Sequence, residues 1–294
     1  MSRALALTAL LVGGCSAPTG HAIDLAPPAS APATTAAPAR GKAVRVTAVT
    51  GTVELQRTGA PPRRLQSGDE LAADDVVRTV DGRAELDVAG SAEVQVAPGT
   101  QVSVAELTST LQRVRLRDGR ISAVVHAAEG DEVEVEASGP GAVARTRRGS
   151  FSMLAQGSHV AVAASAGEVT LAAHGRSVQI GAGQISVVEE AHPPSAPQAI
   201  PASLYIKLAG AGGIQRTRET VVHGATTPGA VISVSGVRTV AGETGEFETK
   251  VPLREGANDL VVESEDALGR KAKARLERIV VDTHKPGVKS KVEW

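Results

Sequence analysis

There is one cysteine in 294 residues, Cys15, so no intrachain disulfide can form and the fold must rest on its core. Aromatics are nearly absent: Phe151, Phe247, Tyr205 and Trp294 are the whole set. So few ring faces make a poor platform for stacking sugars or nucleobases. An excess of one charge is missing too. Lys and Arg number 31 against 32 Asp and Glu, with a pI near 6.7, which gives no electrostatic footing for nucleic acid or an anionic membrane surface. No apolar run approaches the roughly 18–20 residues of a spanning helix. The seven histidines, His21, His126, His159, His174, His192, His223 and His284, show no zinc-ligand spacing. There is no G-x-S-x-G elbow, and the Gly-rich stretch at 210–213 lacks the Lys-Ser/Thr of a phosphate-binding loop. These gaps argue against a catalytic site, a metal or a cofactor.

What the chain has is valine in alternation. VRVTAV (44–49), AELDV (84–88), AEVQV (92–96), EVEVE (132–136) and EVTLAA (168–173) all repeat with period two. Gly-containing turns such as SGDE, VDGR, APGT, RDGR and ASAGE separate them. β-branched residues at this spacing predict many short strands and an all-β fold. In EVEVE the valines face one way and Glu132, Glu134 and Glu136 the other, which predicts a half-buried strand with a solvated carboxylate row.

The N-terminus has its own grammar. Met1-Ser2-Arg3 precedes the nine-residue apolar run ALALTALLV, then Gly13-Gly14-Cys15. The run fits a signal-peptide core and is too short to span a bilayer. V-G-G-C at this position resembles a bacterial lipobox. The resemblance implies a leader over residues 1–14, acylation of Cys15 as the membrane anchor, and, with Ser16 following, an outer-membrane location. Residues 15–42, rich in Pro, Ala, Ser and Thr, read as a disordered tether.

From Val49 to Val188 the turn spacing is similar to that of a FecR domain. LQSGDELAADDVVRTVDGRAELDVAGSAEVQV follows its pattern through Gly68, Asp69, Asp75, Thr79, Gly82, Gly90 and Ser91. LRDGRISAVV (Gly119), GAVARTRRGSFSML (Gly149, Ser150, Phe151), ASAGEVTL (Gly167) and IGAGQISVV (Gly183, Gln184) continue it in order. Ser150 stands where the pattern has Thr. Chemistry explains the motif as architecture: glycines supply φ > 0 at tight connections, while Asp69, Asp75 and Thr79 can bond nearby backbone amides. The resemblance implies a β domain over residues 43–190 and, in its family setting, signalling across the envelope to a sigma factor. The chain carries no transmembrane helix or cytosolic segment of such a regulator, so the expected role is the receiving end.

A Pro-rich stretch over 191–202 reads as a linker. Residues 203–283 are similar to bacterial Ig-like modules through Gly224, Pro228, Gly229, Gly245, Phe247, Leu253, Gly256, Asn258, Asp266 and Gly269. A sandwich is expected, with Phe247 in its core and Asn258 and Asp266 tying turns. Asp259 and Asp266 lie in no D-x-D-x-D loop, which argues against a calcium site. A basic tail covers 284–294. The one candidate binding feature is the basic cluster Arg145, Arg147 and Arg148 following an acidic strand, which is either a contact for an acidic partner or a self-paired charged hairpin. The expected protein is a lipid-anchored, non-catalytic envelope module. Its partners would be the membrane through Cys15 and an envelope protein or cell-wall component, without nucleic acid. A role in sigma-factor signalling is the alternative, and a wall-acting enzyme is third.

Overall fold

A computed structural model describes residues 43–108, 110–209 and 212–284. The leader, Cys15 and the tether (1–42), and the tail from 285, lie outside the described residues. Those from Ala43 onward belong to one compact unit. Every regular element among them is a strand, as the alternation predicts, and no helix is long and apolar enough to cross a membrane.

The first lobe contains β1 (Val44–Thr50), β2 (Val53–Gln56), β3 (Arg63–Arg64), β4 (Glu70–Leu71), β5 (Val76–Thr79), β6 (Arg83–Val88), β7 (Ala92–Val96) and β8 (Gln101–Leu107). It continues with β9 (Leu111–His126), β10 (Glu132–Ala137), β11 (Val143–Thr146), β12 (Arg148–Gln156), β13 (His159–Ala173), β14 (Arg176–Gly181), β15 (Gln184–Glu189) and β16 (Gln198–Ala199). They form two faces. The first runs β4-β1-β6-β7-β9-β12-β13-β15-β16. The second runs β3-β2-β5-β8-β9-β10-β11-β13-β14. Their inward side chains share one core of Val, Leu, Ile and Ala around Phe151 and Met153.

Strands β9 and β13 belong to both faces, and here the structure differs from the sequence expectation. Gly119 and Gly167 sit in segments that read as turns, yet neither reverses the chain. Each is a corner where a long strand leaves one face and enters the other. The reason is crowding. A Cβ on Gly119 would lie 2.6 Å from Thr100 Cα and 2.8 Å from Gly99 O. One on Gly167 would lie 2.6 Å from Arg148 O and 2.9 Å from Gly149 Cα, its cross-strand neighbour. Both also have positive φ, 95° and 72°.

Several polar side chains are buried with the apolar ones. Gln112, on β9, is fully buried and neither amide atom has a hydrogen-bond partner among the described residues. An unsatisfied buried amide costs about 1–3 kcal/mol. Gln112→Leu is therefore expected to raise stability by that order, read as a higher urea midpoint. A lower midpoint would show that the amide is satisfied after all.

The second lobe holds β17 (Lys207–Ala209), β18 (Gly213–Gln215), β19 (Glu219–Ala225), β20 (Val231–Val234), β21 (Val237–Val240), β22 (Glu246–Pro252), β23 (Gly256–Asn258), β24 (Val261–Glu265), β25 (Lys271–Arg275) and β26 (Ile279–Val281). Sheets β17-β19-β22, β18-β26-β23 and β21-β20-β24-β25 close over a common core of Val222, Ile232, Phe247, Val251, Val262 and Ile279. This is the sandwich expected. Gly224 lies opposite Phe247, and a Cβ there would come within 2.5 Å of the ring, so the missing side chain makes room for it. Asn258 bonds the backbone of Arg254 and Gly256, and Asp266 accepts the Arg270 amide, as the turn chemistry predicts.

The Pro-rich stretch runs beside β15 as an added edge. The Ser195 amide donates to Val187 O, the Ser195 hydroxyl takes the Val187 amide at 3.0 Å, and β16 pairs with β15. Prolines suit an edge, where no outer ladder N–H is needed. The second lobe covers the outer face of β12, β13 and β15, burying Leu154, Ala161, Ala163, Ile185 and Val187 against Ala267, with Leu268 and Val231 at the margin. Arg120, with a side chain 18% exposed, spans the joint to Glu265 at 3.3 Å. Gly269 leaves space for that guanidinium and Gly229 for Ala161.

Candidate functional site

The outer face of β8, β9, β10 and β11 carries a grid of charge. Arg113 and Arg145 lie on either side of Glu134 and each bonds its carboxylate at 2.7 Å. Arg113 also reaches Glu106 at 3.3 Å, and Arg115 pairs with Glu136 at 3.1 Å. Glu134 is only 3% exposed. The solvated row expected for EVEVE is thus corrected at its centre: two guanidinium groups cover the middle carboxylate because neighbouring strands place arginines directly opposite it. The bonded partner also holds the Arg113 guanidinium above its ordinary value.

The basic cluster does not form one patch. Arg145 faces outward from β11 and is engaged by Glu134. Arg147 falls between β11 and β12, exposed, its carbonyl taking the Ala127 amide. Arg148 opens β12 opposite His126 on the other face. The kink between the strands separates what the sequence places side by side.

Beside the charge grid lies a groove of about 810 Å³, lined among others by Gln101, Ser103, Arg117, Asp118, Ser138 and Gly157. Arg117 is the extra residue of a β-bulge: Gln101 faces Asp118 and Val102 faces Leu116, leaving Arg117 without an opposite number. Gly139 and Gly157 close one end. Their backbones approach so closely that a Cβ on Gly139 would meet Gly157 O at 2.3 Å. No periodicity argument could find this site, because a bulge and a crossing of distant backbones create it.

Burial pushes the Asp118 carboxyl above the ordinary aspartate value of 3.8, against the pull of Arg238 and a hydrogen bond from the Gly157 amide. A raised carboxyl favours the folded state below its ordinary value, and that contribution is lost as pH rises through the folded value. Asp118→Asn is expected to raise the melting temperature at neutral pH, with the gain shrinking as pH falls towards 3.8. Calorimetry at both pH values checks it, and a gain that is constant with pH would refute the assignment.

The motif residues are spent on structure. Asp69 accepts the Gln66 amide and a bidentate Arg63 at 2.8 and 3.0 Å, which holds its carboxyl below the ordinary range. Asp75 accepts the Ala72 amide and Arg57. Thr79 departs from the local-turn expectation: its hydroxyl donates to Ala97 O at 2.6 Å and accepts the Thr100 amide, tying β5 to the β7–β8 connection. Phe151 is a core residue. Glu255, Asp282 and His284 converge on the second lobe, a grouping sequence spacing did not reveal. All three are exposed, and Glu255 is occupied by Thr283 and Arg218. Cys15 lies outside the described residues.

Residues 74–170 match the family model described as FecR protein, spanning β5 to most of β13. That range contains Asp75, Thr79 and the corner glycines Gly119 and Gly167. No curated protein matches the sequence. Among solved structures, two crystal structures described as a candidate anti-sigma factor from Parabacteroides distasonis align at 16% and 18% identity, with TM-scores of 0.38 and 0.37. Each alignment covers 42% of this chain, which spans 59% and 57% of those chains. A polysaccharide lyase aligns at 9% identity and TM-score 0.21 over 83% of this chain and 40% of its own. Overlaps of that quality do not define a common fold.

Proposed function

We propose that this chain is a non-catalytic component of a FecR-type signalling system of the cell envelope, whose first lobe receives the signal by binding another envelope protein. The observation that carries the reading is the family match across β5 to β13. The chemistry is consistent with it. The motif's aspartates, threonine and glycines serve turns, corners and core, and the outward faces offer arginines, a residue type enriched in protein contacts. Anchoring through an acylated Cys15 in the outer membrane belongs to the same proposal. It would hold the lobes at the surface where such a partner resides.

The test is a transcript comparison between the parent strain and a deletion strain. The expected result is a coherent change in promoters served by one alternative sigma factor, restored by the intact gene and not by Cys15→Ser. Unchanged transcripts would overturn the signalling role and return the chain to a binding or scaffolding part.

A further inference from the structure

We infer that the groove beside the β9 bulge, together with the smaller cavity that adjoins it across Gln101 and Asp118, is a docking site for an acidic, extended segment of a partner protein, with Arg117 in the groove and Arg78 in the adjoining cavity as its carboxylate contacts. The inference deepens the proposed signalling role by naming how a partner would be held, and it rests on that role for its biological setting.

Three observations carry it. On this face Arg113, Arg115 and Arg145 are each neutralised by a carboxylate, whereas the side chains of Arg78 and Arg117 make no hydrogen bond or ion pair among the described residues. They flank Gln101: Arg78 sits opposite it on β5, and Arg117 occupies the bulge on its other side. Arg117 lines the groove beside Arg115, and the bulge leaves it without an opposite residue on β8, whereas Arg115 is held by Glu136. An unpaired guanidinium lining a concavity is a ready fork for a carboxylate.

Size and spacing select the ligand. Arg78 and Arg117 stand two strands apart, roughly 10 Å between backbones, too far to share one carboxylate comfortably. Alternate residues of an extended peptide present acids about 7 Å apart on one side, within reach of two long arginine side chains. A groove of about 810 Å³ fits a segment of chain better than a lone ion. Gln101, Ser103 and Ser138 can bond a peptide backbone, and no aromatic lines the groove to stack a sugar. Two carboxylates also line the groove: Glu136 is paired with Arg115, and Asp118, opposite Gln101, lies between the two free arginines, so the segment must lay its backbone and not a third acid over that point.

The test is fluorescence anisotropy at low salt with the full chain and a labelled, end-capped decapeptide of alternating Glu and Thr. Arg78→Gln and Arg117→Gln are each expected to weaken binding roughly fivefold, and the double variant roughly twenty-fivefold. Arg45→Gln, which removes an exposed ion pair with Glu70 on the opposite face, should leave it unchanged. A matched Lys/Thr peptide should not bind. Absence of binding to the wild type, or a double variant that binds like wild type, overturns the proposal. Competition by citrate as effective as by the unlabelled peptide overturns the segment and leaves only a small-anion site. The signalling role fails separately. Transcripts that respond to deletion but not to the double variant sink the groove alone. Unresponsive transcripts alongside groove-dependent peptide binding sink the signalling role alone.

Discussion

Gly119→Ala is expected to cost the first lobe about 4 kcal/mol or more, against roughly 1–2 kcal/mol for Gly130→Ala. The two glycines share a left-handed backbone, with φ of 95° and 89°. They differ in surroundings. Nothing lies within 4 Å of a Cβ built on Gly130, whereas one on Gly119 meets Thr100 Cα, the Thr100 hydroxyl and Gly99 O. The clash cannot be relieved by rotating a side chain, because two of the three obstacles are backbone. Moving that backbone would pull β8 from β9 and disturb Thr79, whose hydroxyl is bonded to the Thr100 amide. Set against a typical domain stability of about 5–15 kcal/mol, such a loss would leave the lobe marginal. Urea titration of both variants measures it. Equal losses at the two positions would show that φ alone matters and that the corner is not tightly closed.

The second large effect concerns the joint between the lobes. Ala161→Glu is expected to split one calorimetric transition into two and to open the 191–202 stretch to proteases. Ala161 is 1% exposed, packed where Gly229 brings the second lobe's backbone against β13. A carboxylate there has no cation to pair with among the buried residues of the patch, Leu154, Ala163, Ile185, Val187 and Ala267. Burying it costs several kcal/mol, and the cheaper response is separation of the lobes. Inside the first lobe the change is harmless, since Ala161 points outward from its own sheet. Val124→Glu provides the control: it lies on the same face, 53% exposed, and should shift stability by less than about 0.5 kcal/mol. A single transition with unchanged protease resistance would refute the view that this patch holds the lobes together.

Much of the first lobe was legible because period two has a single physical meaning. In β6, β7 and β8 the alternating valines and leucines face the core, and Asp75 performs the turn duty its chemistry suggests. Legibility ended wherever the partner of a residue lay far along the chain. Gly119 and Gly167 look like turn glycines, since local sequence does not distinguish a reversal from a corner inside one long strand. Glu134 looks solvated, since nothing near it shows that strands on both sides present arginines. Arg145, Arg147 and Arg148 look like one patch, since the kink between β11 and β12 is set by which sheet each strand joins.

The joint illustrates the same limit. Leu154, Ala161, Ala163, Ile185 and Val187 occupy outward positions of their strands, and by alternation alone they are surface. Their apolar character makes sense once the second lobe lies over them. The Pro-rich stretch reads as a linker by composition, yet hydrogen bonds through Ser186 and Ser195 bind it along β15.

By itself the sequence determined that this is an all-β chain with no disulfide, few aromatics and a FecR-type architectural motif. Those properties follow from residue type and short-range spacing, which act through local sterics and burial. Only the tertiary structure decided which arginines are neutralised, where the strands turn their corners, which apolar face the second lobe covers and where the groove opens. Each depends on pairing between residues tens of positions apart, and a one-residue bulge is enough to leave Arg117 without the opposite residue on β8 that the alternation alone would give it.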